Sequence, residues 1–352
     1  MRPWLHLLLL LPLLACSDGS GPARTTRTYR MGFSAIPPTS DQAVVFQNLE
    51  LWTKRADAAI MHQSVPWGPL LGGTPAGVEV DSVERPLANY YRGKGLRLVI
   101  TIDVTNGLDR SAQDPTLVAL GHSITEPAIQ ALYRQYVLAL DTILHPDYLG
   151  LAAETNLIRY AAPDSVYQAV VAMTNAAAGD IAAHPSKPVR YVSVQVEVAW
   201  GLLQGSAYAG IAQDLHDFPF VEAIGLSSYP YLAGIATPED IPLDYYSRIA
   251  DESARPVLVV EGGWSSATLG SIMSSQAEQA RYITRQAELL DRARAVGVFQ
   301  LTFADLALSS FPPQPPGSIL PLFASLGLVD TTLAPKAALT PWDELFARPF
   351  AP

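Results

Sequence analysis

Cysteine is almost absent: the 352 residues contain one, Cys16. No disulfide can form within the chain, and Cys-based metal sites are excluded. Basic residues are also scarce, with 23 Lys and Arg against 33 Asp and Glu, a net charge of −10. No basic stripe exists, so a nucleic-acid partner is not expected. The six histidines show neither His-x-His nor His-Glu-x-x-His spacing, so nothing points to metal catalysis. No Gly-rich phosphate loop follows a strand-like run, and no Gly-x-Ser-x-Gly elbow is present. No cofactor is expected.

Long apolar runs are missing too, except at the start. Residues 1–15, MRPWLHLLLLLPLLA, are one basic residue and a run too short to span a bilayer, which takes roughly 20 residues. The run has the length of a signal-peptide core. It ends in Leu13-Leu14-Ala15-Cys16, which resembles a bacterial lipobox, where a small residue precedes a cysteine that is lipidated. The resemblance implies removal of residues 1–15, a membrane anchor at Cys16 and a place in the bacterial cell envelope. A lipidated Cys16 would leave no thiol for catalysis. Residues 16–29 then read as a polar tether, and residues 30–350 as one domain, expected to act as a monomer.

Within that domain, β-rich runs recur at about 30–45 residue intervals, a spacing compatible with βα units. They cover Tyr29–Phe33, Ala58–His62, Arg97–Asp103, Tyr148–Glu154, Arg190–Val196, Val221–Tyr229, Pro256–Glu261 and Gly297–Phe303. Helical patterns lie between them, for example over Glu126–Ile143, Asp164–Ala183 and Gln276–Val296, the last capped by Ser274 or Ser275. Eight strands, each followed by a helix, predict a single (β/α)8 TIM barrel. Parity agrees. Val192, Val194 and Val196 fall opposite Ser193, Gln195 and Glu197, and Ile224 and Leu226 fall opposite Gly225, Ser227 and Tyr229. An aliphatic face suits the helix layer; a small and polar face suits the barrel interior.

Function in such a barrel belongs at the carboxyl ends of the strands. Those ends carry Asp103, Glu154, Glu197, Tyr229, Glu261 and Phe303. Carboxylates directly after apolar strands are costly unless paired or used. Glu154 and Glu261 end strands four and seven, which face each other across the mouth. Two glutamates there can flank a glycosidic bond, and a separation of about 5–5.5 Å suits a retaining mechanism. His62 and Trp67 near the end of strand two, Asn156 after Glu154 and Trp264 after Glu261 are candidate substrate contacts, the tryptophans as platforms for sugar rings.

Gly225-Leu226-Ser227-Ser228-Tyr229-Pro230 and Pro256–Glu261 followed by Gly262-Gly263-Trp264 resemble segments of clan A glycoside hydrolases. So do Gly327-Leu328-Val329-Asp330 and Pro335-Lys336-Ala337 near the end. The pattern is most similar to family 53, the endo-β-1,4-galactanases. That resemblance implies a galactan-like β-glycan as substrate. It also implies Glu261 as nucleophile, Glu154 as general acid/base, and Tyr229 against the nucleophile or the cleavage subsite. One position departs from the clan pattern: the residue before the acid/base is Ala153, where clan members carry Asn. The expected function is a retaining glycoside hydrolase acting on an oligo- or polysaccharide. The alternative is a glycan-binding surface lipoprotein of the same fold that has lost catalysis.

Overall fold

The computed structural model describes residues 25–313 and 316–352. The leader 1–15 and Cys16 lie outside the described residues. Eight parallel strands close into one barrel in sequence order, and β1 pairs with β8. The strands are β1 (Arg30–Ser34), β2 (Ala58–Ser64), β3 (Arg97–Asp103), β4 (Tyr148–Gly150), β5 (Val189–Gln195), β6 (Ala223–Ser228), β7 (Val257–Gly262) and β8 (Gly297–Gln300). A principal helix follows each: α1 (Gln42–Trp52), α2 (Arg85–Gly93), α3 (Pro127–Ala139), α4 (Asp164–Ala182), α5 (Ala212–Asp217), α6 (Ser247–Ser253), α7 (Gln276–Ala293) and α8 (Leu339–Phe346). The predicted barrel is the observed one. Of the two caps expected for α7, Ser274 and Ser275, it is Ser275 whose side chain accepts from the Glu278 amide.

Two apolar layers hold the barrel. The outer one lies between strands and helices and includes Val192, Val194, Ile224 and Leu226, the face that parity assigns to the helices. The inner one is small: Ile60, Val99, Tyr191, Leu258 and Phe299 fill the lower barrel. Tyr191 lies across β4, where a Cβ on Gly150 would come within 2.5 Å of its ring. The interior is therefore apolar below and polar only toward the carboxyl ends.

Three boundaries differ from expectation. β4 stops at Gly150 and does not reach Glu154, because β3 stops pairing with it there. The chain continues along β5 alone, with Leu151 donating to Tyr191 O and Ala152 accepting from Ser193 N. β8 ends at Gln300, so Phe303 is not in the strand. The polar segment read as a tether up to residue 29 is already part of the fold at Arg27. Arg27 is buried, pairs with Asp57 at 2.5 Å and bridges to Phe350.

Candidate active site

β7 carries the decisive local feature. Leu258 and Val260 face the barrel interior, and Val257 and Val259 face the helices. Strict alternation would send Glu261 outward. The β6–β7 register slips between Leu226 and Ser227, so that Leu226 opposes Val259 but Ser227 opposes Glu261. Val260 is the extra residue of a bulge, and the bulge re-aims Glu261 into the mouth. Gly262 and Gly263 then let the chain turn away. A Cβ on Gly262 would lie 2.6 Å from Ser228 O, and Gly263 sits at φ +152°.

Glu154 arrives by another distortion. It has φ +49° and ψ +48° and precedes the short helix Thr155–Ala161. A left-handed non-glycine residue costs on the order of 1–3 kcal/mol and persists only where neighbours hold it. Its amide donates to Ser193 Oγ at 2.8 Å. One carboxylate oxygen accepts from Arg110 Nε at 2.8 Å. Arg110, buried in the loop after β3, also binds Asp103.

Ser227 joins the two glutamates. Its Oγ lies 2.6 Å from Glu154 Oε1 and 2.6 Å from Glu261 Oε1. Twice 2.6 Å, or 5.2 Å, is therefore the upper limit on the separation of those two oxygens. A serine hydroxyl has one proton to donate, so two such contacts require one carboxyl to be protonated. Burial, and then the charge of Glu154, push the Glu261 pKa up to about 8. Arg110, bonded to Glu154, keeps the negative charge of the pair on that side, which leaves the shared proton toward Glu261. Burial pulls Arg110 down, but Asp103 and Glu154 outweigh it and hold it as a cation. Burial lowers His62 to about 4, so its ring is neutral. That ring contacts Ser34 Oγ through Nδ1 at 3.1 Å and places Nε2 3.6 Å from Glu261.

These groups form the floor of a cavity of about 500 Å³, within the usual ligand-site range of ~300–1,000 Å³. Of the expected site residues, Glu154, Glu261, His62, Asp103 and Tyr229 line it. Tyr229 stands edge-on to Phe323, and burial with the nearby glutamates raises its phenol well above the ordinary value.

Five expected contacts lie elsewhere. Trp264 is buried, donates to Ser274 Oγ and packs on Tyr231 and Tyr282, because the Gly-Gly turn swings it under the rim. Trp67 is buried at the start of a short helix and borders a separate recess with Asn106 and Asp114. Phe303 packs edge-on against Phe33 in the outer layer. Asn156 is spent on the backbone of Gln195, donating to its O and accepting from its N. Glu197 is fully buried in the short helix after β5, outside the cavity lining. It accepts from the Tyr229 amide and the Tyr245 hydroxyl, and burial raises it to about 7.

Arg110 and Gln195 also line the cavity. Sequence reasoning missed Arg110; its one signal is a lone cation seven residues beyond the strand-end Asp103. Ser227 and Gln195 were legible only as inward-facing polar residues.

No protein-family model matches the chain. No curated protein matches it by sequence. Solved structures do. An exo-β-1,4-mannosidase from Opitutaceae bacterium strain TAV5 superposes with a TM-score of 0.61 at 16% identity, over 91% of this chain and 59% of that one. A GH5_18 protein from Bifidobacterium longum subsp. longum, in complex with Manβ1-4GlcNAc, gives 0.61 at 16% identity, over 92% and 80%. A β-D-glucuronidase from Dictyoglomus thermophilum gives 0.59 at 14% identity, over 92% and 51%. The chain thus spans little more than half of the mannosidase and the glucuronidase. What it shares with these glycosidases is the barrel fold over nine-tenths of its own length.

Proposed function

We propose that the chain is a glycoside hydrolase that works by retaining double displacement on Glu154 and Glu261. The observation that carries this reading is Ser227 Oγ, 2.6 Å from a carboxylate oxygen of each. Two strand-end carboxyls held that close, sharing one proton, have the composition of a retaining pair. The mannosidase and glucuronidase neighbours support it by fold.

In the resting site the proton is on Glu261 and the charge on Glu154 is matched to Arg110. Attack by Glu261 requires the reverse. Ser227 accepts from Glu261 and donates to Glu154, so transfer along those two bonds sets the reactive pattern. Glu154 then protonates the leaving oxygen while Glu261 attacks the anomeric carbon. In the second half, Glu154 takes a proton from water, whose oxygen displaces Glu261.

The test is turnover on a panel of β-glucosides, galactosides, mannosides and glucuronides, followed by trapping with the matching 2-fluoro sugar. Glu261→Ala and Glu154→Ala are each expected to lose at least 10³-fold, with the trapped sugar on Glu261. Near-normal turnover by either variant removes the mechanism, and a sugar trapped on Glu154 reverses the two roles. Ala153 and the Arg110 clamp on Glu154 favour a second reading, glycan capture without cleavage; binding with no product over days would select it. The galactan-like polymer implied by the strand-six and strand-seven resemblance draws no support from Trp67 and Trp264, since neither ring is free to stack on sugar.

A further inference from the structure

The cavity changes character with height. Its polar groups, the two glutamates with Asp103, Arg110, His62 and Gln195, gather at the floor. Above them the wall is aliphatic and comes from separate loops. Ile36 follows β1, Leu108 follows β3, Leu157 follows β4, Leu203 follows β5, Leu232 follows β6 and Ile319 follows β8. Phe311 and Phe323 complete it, and Asp109 and Ser111 leave one side polar. Leu203 and Ile319 remain 43% and 38% exposed. Single exposed leucines are ordinary, but convergence of six loops on one recess is not scatter.

This wall is a poor match for a second sugar. A sugar ring carries a hydroxyl on most of its carbons, and each one buried without a partner is costly. The floor can satisfy one ring; the wall can satisfy hydroxyls only on the side of Asp109 and Ser111. Branched aliphatic side chains suit methylene groups.

We infer that the substrate is a glycoside of an aliphatic, lipid-like alcohol, with its one sugar on the floor and its chain against the wall. The inference rests on the glycosidase reading and names its leaving group. Hydrolysis breaks the bond between the anomeric carbon and the aglycone oxygen. That oxygen takes the acid's proton and leaves as the free alcohol. Water supplies the hydroxyl on the anomeric carbon and returns a proton to the enzyme.

The experiment compares methyl, butyl and octyl β-glycosides of one sugar, each below its micellar concentration, with a β-linked disaccharide of the same sugar. kcat/KM is expected to rise about fourfold for each methylene that the wall buries, equivalent to ~0.8 kcal/mol. The double variant Leu203→Asn, Ile319→Asn is expected to cut the octyl-to-methyl ratio at least tenfold. Equal rates on methyl and octyl glycosides, or preference for the disaccharide, overturn the inference and leave the glycosidase reading standing. Tight calorimetric binding of octyl glycoside without cleavage does the opposite: the aliphatic pocket stands and the hydrolase reading falls.

Discussion

At the scale of single residues, the site is a problem of one proton between two carboxyls. Glu261 holds it up to a pH of about 8, so kcat/KM is expected to fall as pH rises through that value. Stability carries the same signature. A carboxyl raised on folding binds its proton more tightly when folded, so its contribution is full below the unfolded value near 4.5 and is lost toward 8. Glu261→Gln has no proton to lose. Its thermal stability relative to the wild type is expected to improve from pH 5 to pH 8, by an amount equivalent to a few kcal/mol. Parallel melting profiles for the two proteins across that range would mean that Glu261 is not held protonated.

The same scale shows what the sequence could reveal. Strand ends are few, and polar residues there have few uses, so Asp103, Glu154, Tyr229 and Glu261 could be picked out. Whether a nearby aromatic reaches the cavity depends on packing across elements, which no local pattern encodes. Trp264 and Trp67 were indistinguishable in sequence from sugar platforms, and both are structural. Arg110 lies in an aperiodic loop, where only the folded chain reveals its two carboxylate partners.

At the scale of elements, parity read β6 correctly and β5 as far as Gln195, after which the chain turns into a short helix and Glu197 leaves the inward face; it could not have read β7. The run Val257-Leu258-Val259-Val260 is apolar on both faces, so nothing in it announces a bulge. β4 makes the complementary point. It is three residues long, and Tyr191 covers the last of them, Gly150, with its hydroxyl fixed by Ile100 O and Thr101. Gly150→Ala would force a methyl to 2.5 Å from that ring. The expected cost is ~1–3 kcal/mol of overpacking, seen as a lower midpoint in urea. An unchanged midpoint would mean that Tyr191 can move aside.

At the scale of the molecule, the barrel was legible because the spacing of eight β-rich runs leaves little other topology. The seam that ties its two ends together was not. Arg27 sits in a stretch whose composition reads as a tether, and its partner Asp57 is thirty residues away. The guanidinium also bonds Tyr29 O and lies over the rings of Phe346 and Phe350. Arg27→Ala would leave Asp57 with only the Met31 amide and open this seam, at an expected ~2–4 kcal/mol by chemical unfolding. A loss below 1 kcal/mol would show the clamp to be ornamental.

That seam also fixes a direction. Arg27 and Phe350 meet beside the amino end of β1, the ladder running on through Ala351 N to Arg27 O, whereas the carboxylates stand at the other end of the strands. Both ends of the described barrel therefore leave from the face opposite the cavity. Whatever grips the chain there, whether a fusion partner, a bead or a sensor surface, holds it by the back and leaves the opening turned outward, so that either end can be immobilised without blocking entry.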